Sequence, residues 1–382
     1  MVRKTSEMVE AGILAAVAVL FAILGAYLPV LGALFNLLWP VPVAVCGMRN
    51  GLRWSVMTLI VAGAVIGSLL GPLQSLSIMA MFGLMGLVLG ECLHRGYRPV
   101  KTLLFSSVAT LISIILSIGL GMLVLGTDPV NLMFEGMEQA MQESTVYYRE
   151  AGMSEEQIAA AVKDNQNLLA TIRLILPGSL VVCSPILAFA NYMAARKILG
   201  KMGVAFEPLP PFTHWRVPEY FIWPYGLSVM VVSFWRDAPQ LVFDLAMNLQ
   251  MVVSVVFFVQ GLAVVYWWLN KSQKPQWWGT IAVILAFAVQ VFSIIIVLLG
   301  AFESVFDYRV KGAVKMFNKI WNFWNDMKVP LSLTAVFTVI LTCYGWWWLP
   351  VGLAAMGGLY WYSRRSFYNK EIQFNSYLDN IV

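Results

Sequence analysis

The chain has 382 residues, of which 60% are hydrophobic and 12% are charged, and its formal net charge is +5. Soluble domains average about 25% charged residues and are less than about half apolar, and any globule leaves much of its surface in water. The composition therefore excludes a soluble globular protein and predicts one whose solvent is largely lipid. The net charge needs no nucleic-acid partner, since a small basic excess is typical of the cytoplasmic loops of membrane proteins.

The apolar runs are continuous and close to helix-spanning length, whereas the strands of a barrel alternate apolar and polar residues over about ten positions. We therefore predict an all-α, polytopic membrane protein with roughly nine spans and one or two further C-terminal membrane elements. The predicted spans are 9–28, 33–48, 54–70, 73–91, 102–125, 174–194, 220–235, 246–269 and 277–299. The further elements are 329–349 and 351–362. Pro40 and Pro42 predict that the second span is kinked or partly unwound.

Between the fifth and sixth predicted spans, residues 127–167 contain eight of the twenty acidic residues of the chain. Asp128 followed by Pro129 is typical of a helix start, and Ser154 with Gln157 matches a capping box that opens a second helix. The stretch therefore predicts a helical hairpin outside the bilayer core. Its first helix carries an apolar stripe that packs on the membrane domain or, alternatively, forms a lid over a substrate site. The stripe consists of Met133, Met137 and Met141.

These features divide the chain into four regions. Residues 1–200 form a six-helix membrane half that includes the acidic hairpin, and residues 201–218 form a cytoplasmic connector. Residues 219–309 form an additional half with three spans, and residues 310–382 form a basic, tryptophan-rich tail. Prolines disfavour a continuous helix across the connector, and they are Pro208, Pro210, Pro211 and Pro218.

Basic residues predict the orientation of the chain. With the N-terminus inside, thirteen Lys and Arg residues before residue 300 fall in inner loops, and few fall outside. The outer ones are Arg149, Lys163, Arg236 and, at a span edge, Arg173. This bias predicts a cytoplasmic N-terminus and an outer hairpin in the cytoplasmic membrane. Nine spans then place the basic residues from Arg309 onward outside, against the rule. Either one earlier span does not cross, or the tail is a separate element in the membrane interface.

Few residues suggest catalysis. The sequence contains no GxxxxGK[ST] phosphate loop, no GxGxxG turn, and no HExxH or GxSxG motif. Asp244 is the best candidate for an intramembrane protease, but it lies near a span edge without a second aspartate. The four cysteines lie in or beside apolar runs without a CxxC pair, and there are only two histidines. We therefore expect no enzyme activity, no cofactor and no metal site.

Polar side chains inside spans are costly in lipid and tend to mark sites or pathways. We predict that Asn36, Gln74 and Asn191 bind a ligand, which would be a neutral or zwitterionic small molecule. Asn248 and Gln260 are uncharged, and we predict that they join helices through hydrogen bonds, each contributing about 1 kcal/mol or less.

The first helix carries small residues at Ala11, Ala15 and Ala18, which permit the close approach of a second helix from this chain or from another. The first six spans resemble the S subunits of energy-coupling-factor vitamin transporters in their cytoplasmic start, this helix and the proline-interrupted second element. The chain more closely resembles the bacterial membrane family called YybS-like. The strings that carry this resemblance are EAGILAAVAVLFAILGAYLPVLG, WPVPVAVCGMRNGLRWSV, GLMGLVLGECLHR, NLQMVVSVVFFVQGLAVVYWWLNK and LLGAFESVFDYR.

The likeness to S subunits carries implications for function. In S subunits the substrate is held on the outer side by loops and later helices, and the first helix docks on a transmembrane coupling subunit. The resemblance implies that Ala11 and Ala15 are docking residues, and that the turn at 31–36 and Gln74 lie near a gate. An S subunit normally stops after six helices, whereas this chain continues through at least three more.

We therefore expect a multi-pass protein of the cytoplasmic membrane that binds a small molecule for uptake or sensing. Its expected partners are the lipid bilayer, that ligand and a transmembrane coupling subunit. The alternative is a non-transporting scaffold or regulatory protein, in which Asn248 and Gln260 serve helix packing. An intramembrane enzyme is the least favoured class, because Asp244 lacks a partner.

Overall fold

The computed structural model describes residues 2–309 except 236, 274, 276 and 308. The described residues form α-helices with short 3-10 and π turns and no strand, which confirms the all-α prediction. The chain divides into two compact units, Met1–Phe212 and a second unit that begins at Thr213. The predicted elements of the 310–382 tail lie outside the described residues.

The first unit contains nine α-helices in the described part of the chain. They are α1 (Val2–Tyr27), α2 (Leu31–Leu37), α3 (Pro40–Asn50), α4 (Leu52–Leu70), α5 (Pro72–Ile78), α6 (Leu84–His94), α7 (Pro99–Leu125), α8 (Pro129–Glu150) and α9 (Glu155–Lys201). The second predicted span is interrupted at Leu38 and Trp39, between α2 and α3, because Pro40 and Pro42 have no N–H for the helical ladder. The fourth contains a π turn at Met79–Gly83, between α5 and α6.

Small residues bring the helices of the first unit into close contact. The alanine stripe of α1, formed by Ala11, Ala15, Ala18 and Ala22, is at most 5% exposed. Thr58 of α4 donates its hydroxyl to the carbonyl oxygen of Ala11, with an Oγ1–O distance of 3.3 Å. In lipid no hydrophobic force drives helices together, so close packing and interhelical hydrogen bonds hold the bundle. The stripe is therefore occupied by helices of the same chain.

The acidic hairpin consists of α8 and the first part of α9. The predicted capping box is present, since Gln157 N donates to Ser154 Oγ at 3.3 Å and Ser154 N donates to Gln157 Oε1 at 3.0 Å. The second hairpin helix and the sixth predicted span form one helix of 47 residues, which is about 70 Å long. No glycine or proline stands between Ser154 and Pro177 to end it, so it continues well beyond the ~30 Å hydrocarbon core.

The second unit contains four α-helices in the part that the structure describes, and they are α10 (Ile222–Phe234), α11 (Gln240–Lys271), α12 (Trp277–Ala288) and α13 (Gln290–Phe306). Helix α10 has 13 residues, about 20 Å, and the 3-10 turn Glu219–Phe221 directly before it brings it nearer to the core thickness. Helices α12 and α13 meet at 116°, because Val289 has an extended backbone. Seven described segments, with α2–α3 and α5–α6 each counted as one and α10 not included, are long and apolar enough to cross, or eight if the bent pair is one span, against roughly nine predicted.

A buried ion pair fastens the end of α13 to the connector. The side chains of Arg309 and Glu303 are 2% and 3% exposed, and their Nε and Oε1 atoms lie 2.8 Å apart. The two other guanidinium nitrogens of Arg309 donate to the carbonyl oxygens of Thr213 and Trp215, at 2.6 and 2.7 Å. We call these four residues the connector clasp.

The connector clasp means that the second unit begins and ends on the same side of the membrane, so an even number of complete crossings lies between Thr213 and Arg309. Val217 N also donates to Gln260 Oε1, which places the connector beside that residue of α11. The stretch from Gln240 to Gln260 covers about 30 Å, the thickness of the hydrocarbon core. We therefore expect α10 and α11 to cross as a hairpin, and the bent α12–α13 pair to enter and leave on the connector side.

This topology predicts the membrane side of three positions. In a variant whose four native cysteines are replaced by serine, single cysteines are introduced by His214→Cys, Asp237→Cys and Gln273→Cys. An impermeant maleimide applied to sealed vesicles of known orientation should label positions 214 and 273 from one side and position 237 from the other. Labelling of 214 and 237 from one side, with 273 opposite, contradicts the re-entrant pair and makes α12–α13 a span.

Breaking the clasp should destabilise the second unit. Glu303→Ala leaves the Arg309 guanidinium buried without its carboxylate, and removing one partner of a buried pair costs about 3–5 kcal/mol. Arg216→Ala is the matched control, because Arg216 and Asp307 form a more exposed pair at 2.8 Å, which should contribute about 1 kcal/mol or less. Thermal unfolding of the full-length protein in detergent measures both variants, and equal losses contradict the clasp.

Candidate functional site

The three residues predicted to bind a ligand lie at separate places in the first unit. Asn36 Nδ2 donates to the carbonyl oxygen of Gly25 at 3.4 Å. Asn191 is 1% exposed, and its Nδ2 donates at 2.9 Å to the carbonyl oxygen of Leu37, the last residue of α2. Gln74 is exposed near the start of α5. None of the three lines the cleft described below, and their ligand-binding role stays a prediction.

The two residues predicted to join helices lie on α11. Gln260 is 2% exposed, and its Oε1 accepts the hydrogen bond from Val217 N, so it ties α11 to the connector. Asn248 Nδ2 donates to the carbonyl oxygen of Asp244 at 2.8 Å, within the same helix. Asp244 Oδ1 in turn accepts a hydrogen bond from Gln240 Nε2 at 2.8 Å. The Gln260 bond is of the kind expected from a residue that joins two segments.

The residues predicted to dock a coupling subunit, Ala11 and Ala15, are 5% and 2% exposed and pack inside the first unit. The opposite face of α1 is open and apolar, with Val9, Ile13 and Leu20 at 55%, 60% and 50% exposure. A membrane partner that contacts α1 therefore meets these larger side chains rather than the alanine stripe.

A cleft of about 390 Å³ lies between α8 and α9, within the range of about 300–1,000 Å³ that small-molecule sites occupy. We call it the hairpin cleft. It has an apolar lining of Phe134, Met141, Val162, Leu169 and Ala170, a polar lining of Gln142, Thr145, Asn165 and Gln166, and two charged residues, Glu138 and Arg173. The lining residues of α9 recur at intervals of three and four, so they share the face that opposes α8.

Phe134 forms the most buried part of the cleft, since it is 1% exposed. The guanidinium carbon of Arg173 lies 4.7 Å from the centroid of the Phe134 ring. Such a cation–π contact contributes about 0.5–1 kcal/mol at an exposed site, and it holds the guanidinium over a fixed platform. The hairpin cleft therefore combines an apolar floor with a positioned cation, a carboxylate and several amides.

Local contacts define the start of α8 and the turn between α8 and α9. Asp128 Oδ1 accepts a hydrogen bond from Val130 N at 2.9 Å at the start of α8, as the sequence predicts. At the end of α8, Arg149 pairs with Glu155 of α9 at 3.1 Å. These contacts and the capping box set where each helix starts and how the two faces meet, so the cleft is built from the hairpin itself.

The predicted methionine stripe is only partly buried. Met141 lines the hairpin cleft, whereas Met133 is 46% exposed, and the neighbouring Phe134 takes the buried position. Sequence reasoning did not single out Phe134 or Glu138, and it noted Arg173 only as a basic residue at a span edge. An aromatic residue beside the apolar stripe was the signal available for Phe134.

The comparisons with known proteins agree with the membrane fold. Residues 16–304 match the family model described as Predicted membrane protein (DUF2232). The chain belongs to this family. It is similar to the Uncharacterized protein YybS of Bacillus subtilis (strain 168), with 24% identity over 311 residues that cover 81% of this chain and 99% of the relative. These matches confirm the resemblance to the YybS-like family. No solved structure matches the chain.

Within the described part of the chain, no group of three or more His, Cys, Asp or Glu residues could hold a metal ion. The hairpin cleft offers a ligand contacts with one aromatic ring, two charged groups and several amides.

Proposed function

We propose that this membrane protein binds a small molecule in the hairpin cleft for uptake or sensing. The cleft itself carries the proposal, because it has the volume and the mixed apolar and polar lining that small-molecule sites share. The proposal includes the orientation of the chain in the membrane. The basic residues of the predicted inner loops support a cytoplasmic N-terminus in the cytoplasmic membrane, with the cleft on the outer face.

The resemblance of the first six spans to transporter S subunits supports uptake, since those subunits hold their substrates on the outer side. The site differs from the one that the resemblance implies, because the cleft lies within the hairpin and away from Asn36 and Gln74. The contact surface for a transmembrane coupling subunit differs as well. We assign it to the open face of α1 around Ile13, because the alanine stripe is buried in this chain.

Filling the cleft should abolish ligand binding. Ala170 lines the cleft on α9, and Ala170→Trp places an indole in that space. Ala160 is exposed on the opposite face of the same helix, and Ala160→Trp is the matched control. Thermal-shift screening of full-length protein in nanodiscs uses a panel of amino acids, dipeptides, nucleosides and vitamins. A compound that stabilises the wild type and Ala160→Trp, but not Ala170→Trp, is the expected result. Binding that survives Ala170→Trp contradicts the site.

The alternative function, a non-transporting scaffold or regulatory protein, has its own supporting observation. The buried amides of Asn191 and Gln260 are used to bond backbone atoms, so these polar residues have a structural role that needs no ligand. Such a protein holds envelope or signalling partners rather than a solute.

Affinity purification from bacterial membranes separates the two functions. Uptake predicts recovery of an ATP-hydrolysing coupling complex with the wild type, and loss of that complex in Ile13→Arg, which puts a charge on the open face of α1. Val108→Arg, at an exposed position of α7, is the control for a charge facing lipid. Recovery of envelope or signalling proteins alone favours the scaffold.

A further inference from the structure

The hairpin cleft contains two charged groups that do not neutralise each other. Glu138 and Arg173 both line the cleft, yet in the described part of the chain neither makes an ion pair with the other or with any other residue. A close pair does form elsewhere in the same hairpin, where Arg149 Nε and Glu155 Oε1 lie 3.1 Å apart. The hairpin therefore allows ion pairing and leaves these two charges without it.

The unpaired state of Arg173 stands out because the surrounding sequence is acidic. Residues 127–167 contain eight of the twenty acidic residues of the chain, so carboxylates are abundant nearby. Arg173 instead lies over the ring of Phe134, 4.7 Å from its centroid. A ring contact of this kind uses none of the guanidinium N–H groups in an ion pair, and these groups bind a carboxylate or phosphate in a bidentate manner.

The charges of the cleft sum to zero. Among the eleven residues that line it, Arg173 is the one cation and Glu138 the one anion. An anion or a cation alone leaves one of these groups unmatched, whereas a ligand with both charges matches both. Phe134 and Glu138 are four residues apart, so they lie on one face of α8, about 6 Å apart along its axis.

We infer that the ligand of the hairpin cleft is a zwitterion, whose carboxylate or phosphate binds Arg173 and whose ammonium binds Glu138. Its apolar part lies against Phe134, Met141 and Leu169. This inference rests on the proposed function, since it names the ligand class of the same site. Two kinds of molecule have such a pair of charges. One is a free amino acid or related solute, and the other is a zwitterionic phospholipid, through its headgroup.

The test uses full-length protein and matched probes. L-leucine and L-phenylalanine are compared with their amides, which are cations, and with their N-acetyl derivatives, which are anions, by calorimetry in detergent. Phosphoethanolamine in solution, and nanodiscs of phosphatidylethanolamine against phosphatidylglycerol, report the lipid source. The variants are Arg173→Gln and Glu138→Gln, with Lys163→Gln as the control because Lys163 is an exposed cation of α9 that does not line the cleft.

At least one zwitterion should bind the wild type more tightly than both of its singly charged analogues. Arg173→Gln should weaken that binding by about 10- to 100-fold, the range for one charged hydrogen-bonding group. In this variant the amide, which lacks the carboxylate, should bind as tightly as the zwitterion. In Glu138→Gln the N-acetyl derivative, which lacks the ammonium, should bind as tightly as the zwitterion. Lys163→Gln should leave all affinities unchanged. If the ligand is a free solute, an amino acid or phosphoethanolamine should bind the protein in detergent. If it is a lipid headgroup, phosphatidylethanolamine nanodiscs alone should stabilise the protein.

Other outcomes separate the two proposals. If an uncharged or singly charged compound binds, Ala170→Trp abolishes its binding and Arg173→Gln does not, the zwitterion inference is wrong and the cleft remains the binding site. If neither these probes nor the wider panel binds, or if binding survives Ala170→Trp, both the inference and the proposed function are wrong.

Discussion

A bilayer offers backbone N–H and C=O groups no hydrogen-bond partner, and the membrane part of this structure depends on that constraint. It makes every predicted span helical, and it decides what the polar side chains in the spans do where a helix is interrupted. Asn191 donates to the carbonyl oxygen of Leu37 beside the break between α2 and α3. Ser75 donates to the carbonyl oxygen of Gly63 at 2.6 Å beside the π turn. Both side chains thus bond backbone oxygens close to a departure from the regular α-helix.

The same constraint explains where charges occur. In the second unit, the Arg309 guanidinium donates to the carboxylate of Glu303 and to the carbonyl oxygens of Thr213 and Trp215. A buried guanidinium is stable only with such partners. In the acidic hairpin, Glu138 and Arg173 are exposed, so they remain without ion pairs at little cost. Unpaired charges in a wet cleft can then be matched by a ligand.

Local signals in the sequence predicted local features well. Asp128 and the Ser154–Gln157 pair mark helix starts through their own side chains, so their caps could be read without knowing the fold. Two features lacked such a signal. The α9 helix continues through residue 174 because nothing ends it, while the bend at Val289 occurs without a proline or glycine beside it. The hairpin cleft was also missed, because its lining comes from two helices whose facing sides only the packing defines.

The sequence by itself determined that this protein lies largely in lipid, that it is helical, that it has an acidic hairpin and that a helix breaks at Pro40, since each follows from composition or from residues that act on their neighbours. Only the tertiary structure decided that the α1 alanine stripe is buried within the chain, that the connector clasp brings Thr213 and Arg309 together, and that Phe134, Glu138 and Arg173 share one cleft. These depend on contacts between residues far apart in the chain, which periodicity and spacing do not encode.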